Sequence, residues 1–193
     1  MKQGTYDIIV VGGGHSGIEA ALVASKMNRS VLLVTMDTNA IGRMSCNPAI
    51  GGLAKGQMVR EIDVLGGAMG LFADKAGIQF KVLNKKKGRA VWSPRAQVDK
   101  RVYESLVRKS VKNSNIELYQ GEVVAIVEFG GRVKAVVLRD ETKIKTNSVI
   151  ITAGTFLSGT IHIGERKINA GRMGEERSEG LTESLESMGF NSS

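Results

Sequence analysis

Apolar residues along this chain fall first into short unbroken runs, then into helical spacing, then into alternation. Ile8–Val11 sits in the segment Asp7–Val11, a run of strand length with polar residues before it and glycines after it. Continuous runs of this kind, rich in β-branched residues, suit strands buried on both faces. From Gly14 to about Met27 the period changes. Ile18, Ala21, Leu22 and Ser25 recur at i, i+3, i+4 and i+7 and give a helix one small or apolar face for a sheet. Val31–Thr35 repeats the strand signal. Strand, helix, strand predicts two parallel strands joined by a right-handed crossover.

From Met36 to Pro94 the pattern turns irregular and rich in glycine, with short helical pieces such as Gln57–Leu65. So many glycines are more than packing needs, and the segment at about 36–94 reads as an insertion that builds part of a site. A clearer helix is predicted from Arg95 to about Lys112, with Val98, Val102, Leu106 and Val107 on one side. A dense β pattern follows. Ile116–Tyr119 is short, while Val123–Phe129 and Arg132–Arg139 are joined at Gly130-Gly131, a hairpin turn signal. Thr142–Lys145 adds a possible further strand, Val149–Thr152 a buried one ending in Ala153-Gly154, and Leu181–Met188 a short helix. No internal repeat is evident.

The junction of the first strand and helix carries the chemistry. Gly12, Gly14 and Gly17 fit G-x-G-x-x-G within Gly12-Gly13-Gly14-His15-Ser16-Gly17. The glycines serve a tight turn, close approach of main chain to a pyrophosphate, and close helix-on-strand packing. The free N–H groups opening the helix then face an anion, helped by the positive end of the helix dipole. The spacing alone is weak, but here a strand precedes it and a helix follows. Together the patterns predict an α/β fold: a doubly wound parallel sheet of the Rossmann-like FAD/NAD(P)-binding kind, with a β-meander and a glycine-rich insertion. Residues 1–193 are read as one such domain, the N-terminal part of it and incomplete.

Composition narrows the reading. At 193 residues, 42% hydrophobic and 24% charged, the chain is an ordinary globular sequence. It lacks an apolar stretch of membrane-spanning length and the layout of a secretory signal, and it reads as cytoplasmic. One cysteine excludes an internal disulfide framework and a cysteine-cluster zinc site, and no metal is expected. The formal charge of +8 is uneven. Between Lys81 and Lys112, eleven basic residues face only Asp99 and Glu104, a local net charge of +9. Such clusters attract a phosphate backbone without sequence selectivity, and a solvated helix face with a flexible loop is the plainer alternative.

A β-meander in place of a crossover helix, between the third strand and a later buried one, favours FAD over NAD. Thr152-Ala153-Gly154 also resembles the second glycine signature of two-dinucleotide flavoproteins. The acidic residue expected about 20 residues past the glycines is displaced, because the second strand ends in Thr35 and Asp37 comes two residues late. Either Asp37 reaches back to the ribose, or a hydroxyl and backbone groups replace it.

The middle segment is more specific. Ser45-Cys46-Asn47-Pro48-Ala49-Ile50-Gly51-Gly52, Lys55-Gly56, Glu61-Ile62-Asp63-Val64-Leu65-Gly66-Gly67 and Ala76-Gly77-Ile78-Gln79-Phe80 stand in series with the glycine loop. Arg95-Ala96-Gln97-Val98-Asp99, Gly154-Thr155-Phe156-Leu157-Ser158-Gly159, Ile161-His162-Ile163-Gly164 and Gly171-Arg172-Met173-Gly174 continue it. Over nearly its whole length the chain resembles the N-terminal part of the bacterial tRNA wobble-uridine modification flavoenzymes, the glucose-inhibited division protein A family. Members are several times longer, so the resemblance implies a fragment, inactive by itself. It implies placement of a carboxymethylaminomethyl or aminomethyl group on C5 of the wobble uridine of tRNA. The implied requirements are FAD, a folate one-carbon donor, NADH bound by later sequence, and a GTPase partner protein; the full-length form is expected to be a homodimer.

The resemblance also assigns residues. Gly12, Gly13, Gly14, His15, Ser16 and Gly17 match the FAD pyrophosphate loop, with His15 read as a loop residue beside the phosphates rather than a base. Val123 would meet the adenine end through its backbone, or be plain strand core; Ser178 would hydrogen-bond the cofactor, or be a surface hydroxyl. Cys46 is either a thiolate near the flavin ring that assists uracil chemistry or a small buried residue. Lys85, Lys86, Lys87, Arg89 and Arg95 are the local candidates for tRNA phosphates. The rival readings are a flavin-dependent reductase of a small substrate and a non-catalytic nucleotide- or RNA-binding module.

Overall fold

The computed structural model describes residues 4–44, 47–171, 174 and 177–192. Strand β1 (Tyr6–Val11), helix α1 (His15–Lys26) and strand β2 (Val31–Thr35) form the opening crossover. A six-stranded sheet is built on them with β6 (Ile116–Gln120), β7 (Val123–Phe129), β8 (Arg132–Leu138) and β9 (Lys143–Ile151), in the order β6-β2-β1-β9-β8-β7. The four strands β6, β2, β1 and β9 run parallel, while β7–β8 and β8–β9 pair antiparallel as the meander.

The apolar runs of β1 and β2 are explained by burial on both faces. Val10, Val31 and Leu33 pack under α1 with Tyr103, Val107 and Val111 of α4 (Lys100–Lys112). Ile9, Val11, Leu32 and Val34 pack on the other side against Val123, Val136, Leu138, Ile144 and Leu181. Helices therefore cover one face; the meander and α5 (Leu181–Ser187) cover the other. Ile9, Val10, Leu32 and Leu33 are fully buried.

The insertion forms a second small sheet. Strand β3 (Ala49–Gly51), helices α2 (Lys55–Val64) and α3 (Met69–Ala76), and strands β4 (Gly77–Leu83) and β5 (Ser93–Val98) come in that order, and β5 lies between β3 and β4. This corrects the expected helix start at Arg95. Residues up to Val98 are strand, paired as Arg95 with Gly51 and Lys81, and Ala96 with Ile50 and Phe80. The helix begins only after Asp99, whose carboxylate accepts from Val102 N at 2.9 Å as an N-cap. A Glu19 carboxylate on α1 fastens the insertion to the main body, accepting from Ala68 N at 3.0 Å and from Met69 N at the start of α3.

Two further differences concern the β region. The two strands expected at Thr142–Lys145 and Val149–Thr152 merge into one nine-residue strand, β9 (Lys143–Ile151), whose first residues pair with β8 and whose later ones pair with β1. A hairpin of β10 (Thr160–Ile163) and β11 (Arg166–Asn169), not expected from the sequence reading, follows. Among the described residues no helix is long and apolar enough to cross a membrane.

Candidate functional site

The glycine loop lies at the carboxyl ends of the parallel strands, where β1 gives way to α1. Gly12 leaves β1 with φ +110°, and its N–H donates to Val34 O at 2.8 Å. A Cβ here would stand 2.5 Å from Thr152 O, so only glycine fits between β1 and the end of β9. Gly17 is buried on α1, where a Cβ would run into the Gly12 carbonyl oxygen and come within 2.6 Å of Thr152 Oγ1. The same Thr152 hydroxyl donates to Val11 O at 2.8 Å. Thr152 is therefore the tie that closes helix, strand and loop on one another. It belongs to the motif noted at the end of a buried strand, but its partners Val11 and Gly12 are 141 and 140 residues away and invisible locally.

Gly14 differs from both. It is exposed, in an ordinary extended conformation (φ −72°, ψ −178°), and a Cβ there would meet nothing within 4 Å. It offers no side chain to cap α1, and the first turn of α1 holds no acidic residue. First-turn amides have no acceptor inside their own helix. The arrangement is open main chain with the positive end of a helix dipole behind it and no acidic residue in the first turn, which suits an anion. Ser16 is exposed on the same turn. The His15 side chain turns inward, with Nε2 3.1 Å from Met44 Sδ and its ring 5.6 Å from that of Tyr103. Tyr103 continues this packing to Phe72 at 6.0 Å, and burial, with the nearby Glu19 charge, pushes its hydroxyl pKa upward.

Asp37 is engaged within the protein: its carboxylate accepts from Asn39 N at 2.8 Å and pairs with Arg43 Nη2 at 3.0 Å. Thr35 occupies the end of β2, its hydroxyl 3.0 Å from where a Gly13 Cβ would stand. Thr35 O also accepts from Gly121 N at 2.9 Å, which brings the segment leading into Val123 beside the glycine loop. The Val123 side chain is 2% exposed and lies in the core. Ser178 is buried too, and its N–H donates to Phe156 O at 2.8 Å. Glu122, just before Val123 and not singled out by the sequence, accepts from Arg139 Nη2 at 2.7 Å and from the N–H of Glu179, the residue after Ser178, at 3.1 Å.

Cys46 lies outside the described residues. Its neighbour Asn47 accepts from Arg95 Nη2 at 3.2 Å. Arg95 and Lys85 line one cavity of about 580 Å³, together with Arg60 and Lys81, between α2, α3 and the small sheet. Lys86, Lys87 and Arg89 do not line it. They stand exposed on two 3-10 turns, Lys85–Lys87 and Arg89–Val91, between β4 and β5. The Arg89 guanidinium lies 5.9 Å from the centre of the Trp92 ring, and Trp92 Nε1 donates to Lys85 O at 3.2 Å. These five basic residues thus share the β4–β5 connection and its flank.

Known proteins match this geometry. The family model described as Glucose inhibited division protein A matches residues 7–193. The tRNA uridine 5-carboxymethylaminomethyl modification enzyme MnmG of Aquifex aeolicus (strain VF5) is 50% identical over 179 residues, 92% of this chain and 29% of that protein. The MnmG of Karelsulcia muelleri (strain GWSS) is 50% identical over 191 residues, 98% of this chain and 31% of its own. The solved structure of Aquifex aeolicus GidA in its form I crystal aligns with a TM-score of 0.90 at 48% identity, covering 97% of this chain and 31% of that one. A GidA-related protein from Thermus thermophilus shares the fold at 20% identity, with a TM-score of 0.67 over 97% of this chain and 70% of its own. The chain thus spans about 30% of the length of the curated relatives it matches.

Proposed function

Because the chain belongs to the glucose inhibited division protein A family, we propose that it is the FAD-binding N-terminal portion of an enzyme that modifies the wobble uridine of tRNA at C5. The observation that carries this is the open, uncapped glycine turn in a chain half identical to enzymes named for tRNA uridine modification. The main chain of Gly12, Gly13, Gly14, His15, Ser16 and Gly17 would hold the pyrophosphate of FAD, with His15 anchored inward rather than acting as a base. Val123, through its backbone, and Ser178 would meet the nucleotide further on. Bound flavin supplies redox chemistry, and the protein holds it and excludes competing reactions.

The other elements of the reading follow from the family. NADH as reductant, a folate one-carbon donor, a GTPase partner, a homodimer and a cytoplasmic location are proposals for the full-length enzyme. A catalytic role for Cys46 is a proposal of the same kind. The basic β4–β5 connection, with Lys85, Lys86, Lys87, Arg89 and Arg95, is proposed to take tRNA phosphates by counterion release.

Two measurements test the whole. Purified chain with added FAD is expected to show a retained flavin absorbance band after gel filtration; loss of the flavin on the column would sink the cofactor reading. Disrupting the gene in its source organism should remove the carboxymethylaminomethyl or aminomethyl uridine from tRNA digests analysed by mass spectrometry. An unchanged nucleoside profile would refute the activity. The 193 residues alone are expected to leave uridine unmodified.

A further inference from the structure

The cavity between α2, α3 and the small sheet has a divided lining. Part of it is apolar: Ile50, Ala73 and Ala96 are buried there, and Val59 is half-buried against the same core. Phe80 and Val82 line it from β4, an edge strand. Phe80 remains 60% exposed although it belongs to a cavity wall. Its ring is backed by Gly77, where a Cβ would collide with Cζ, so the main chain leaves the ring its place. The volume of about 580 Å³ lies in the range that holds small organic ligands.

Charge lines the rest. Arg60, Lys81, Lys85 and Arg95 stand in the wall, and among the described residues none of the four forms an ion pair. Asp63 and Asp74 are the acidic residues of the lining, which leaves an excess of two positive charges. Arg95 donates to Asn47 Oδ1 at 3.2 Å. Asn47 follows Cys46 in the chain, so one wall is tied to the segment proposed to act on uracil. An aromatic ring, clustered cations and two carboxylates are the groups that suit an unpaired nucleotide. The base stacks, the phosphates are neutralised, and the base N–H groups find acceptors.

We propose that this cavity receives one unstacked nucleotide of an RNA loop, with its base on Phe80 and the flanking phosphates on Arg60, Lys81, Lys85 and Arg95. Asp63 or Asp74 then accepts from the base N–H. The nucleotide must be unstacked, because a base inside a duplex cannot enter a pocket. The proposal rests on the reading of this chain as part of a tRNA-modifying enzyme and extends it from phosphate contact to base recognition, so its test separates the two.

Binding of a fluorescein-labelled anticodon stem-loop RNA with uridine at the wobble position is measured by anisotropy on the full chain at several salt concentrations. The same hairpin with an abasic ribose at that position is the second probe, and unfolding midpoints are recorded in parallel. Phe80→Ala is expected to weaken the uridine hairpin by at least about fivefold and to leave the salt slope unchanged, since no phosphate contact is lost. On the abasic hairpin Phe80→Ala should bind as the parent does, because the variant and the probe remove one and the same stack. Phe80→Trp should restore binding of the uridine hairpin. Arg60→Ala should reduce the salt slope by about 1, and an unchanged slope would overturn the placement of the phosphates. If Phe80→Ala weakens both hairpins equally, Phe80 stacks on no base at that position, which overturns the proposal. If the parent binds RNA in a salt-dependent way and Phe80→Ala binds both hairpins as the parent does, the phosphate reading stands and the proposal fails. If the parent binds neither hairpin, both fail. Should Phe80→Ala not fold by circular dichroism, Phe80→Leu, which keeps apolar bulk without a π face, takes its place with the same expectations.

Discussion

Gly14 and Gly17 are three residues apart on one turn, yet alanine is expected to act on them in opposite ways. At Gly17 an added Cβ meets Thr152 Oγ1 at 2.6 Å and collides with the Gly12 carbonyl, where ordinary contact begins at 3.4 Å. The helix must back away from β1 and β9 by roughly 0.8 Å to relieve the hydroxyl clash alone. Overpacking of this kind costs about 1–3 kcal/mol. The helical preference for alanine over glycine returns at most about 1 kcal/mol. Gly17→Ala is therefore expected to lower the unfolding free energy and to weaken FAD as the loop shifts.

At Gly14 the same methyl enters open space from an ordinary backbone conformation. Stability should fall by about 1 kcal/mol at most, the loss expected when alanine, a clearly poorer N-cap, replaces glycine. The methyl would stand at the mouth of α1, where the proposed pyrophosphate sits, and FAD affinity should fall tenfold or more. Chemical denaturation and flavin fluorescence titration on the same preparations measure both quantities. A stable Gly17→Ala protein with parental flavin affinity would refute the packing argument. A Gly14→Ala protein that binds flavin as the parent does would refute the placement of the anion.

Three other expectations are simpler. Glu19→Ala removes the acceptor for two amides opening α3 and should cost about 1–3 kcal/mol in denaturant unfolding; no loss would mean that the insertion is held by its apolar contacts alone. The Arg139 bond holds the Glu122 pKa below its ordinary 4.5, against the desolvation that raises it, with the Glu179 amide and Ser178 hydroxyl assisting. A carboxylate depressed on folding stabilises fully above the unfolded value and loses that contribution as pH falls through the folded one. The stability gap between parent and Glu122→Gln should therefore be constant above pH 4.5 and close below it, and a gap independent of pH would contradict the bonding described. Replacing Lys85, Lys86 and Lys87 with alanine should weaken tRNA binding and reduce its salt slope by about 1 for each phosphate no longer neutralised; an unchanged slope places the tRNA elsewhere.

The runs at Val31–Thr35 and Val123–Phe129 became strands with the bounds their patterns set. Local burial on two faces writes itself as an unbroken apolar run, and the glycine turn is equally local, since its spacing encodes constraints inside one strand-to-helix turn. Pairing between distant segments has no such imprint. Thr146, Asn147 and Ser148 break the apolar pattern of β9, yet Thr146 pairs with Tyr6 and is 1% exposed, its hydroxyl donating to Ser148 O. Arg95–Val98 carries the phase of the helix after it, but β3 and β4 claim it as a strand from both sides.

The same division holds at the site. Gly12 and Gly17 are legible because only glycine fits their close contacts with Thr152 and the Gly12 carbonyl, whereas Gly14 is under no such constraint and leaves the helix mouth open. The ties of Thr152 to Val11, of Glu19 to Ala68 and of Glu122 to Glu179 join residues 49 to 141 positions apart, and Asp37 pairs with Arg43. A side chain's partners depend on which segments the fold brings together, so only the folded chain could decide them.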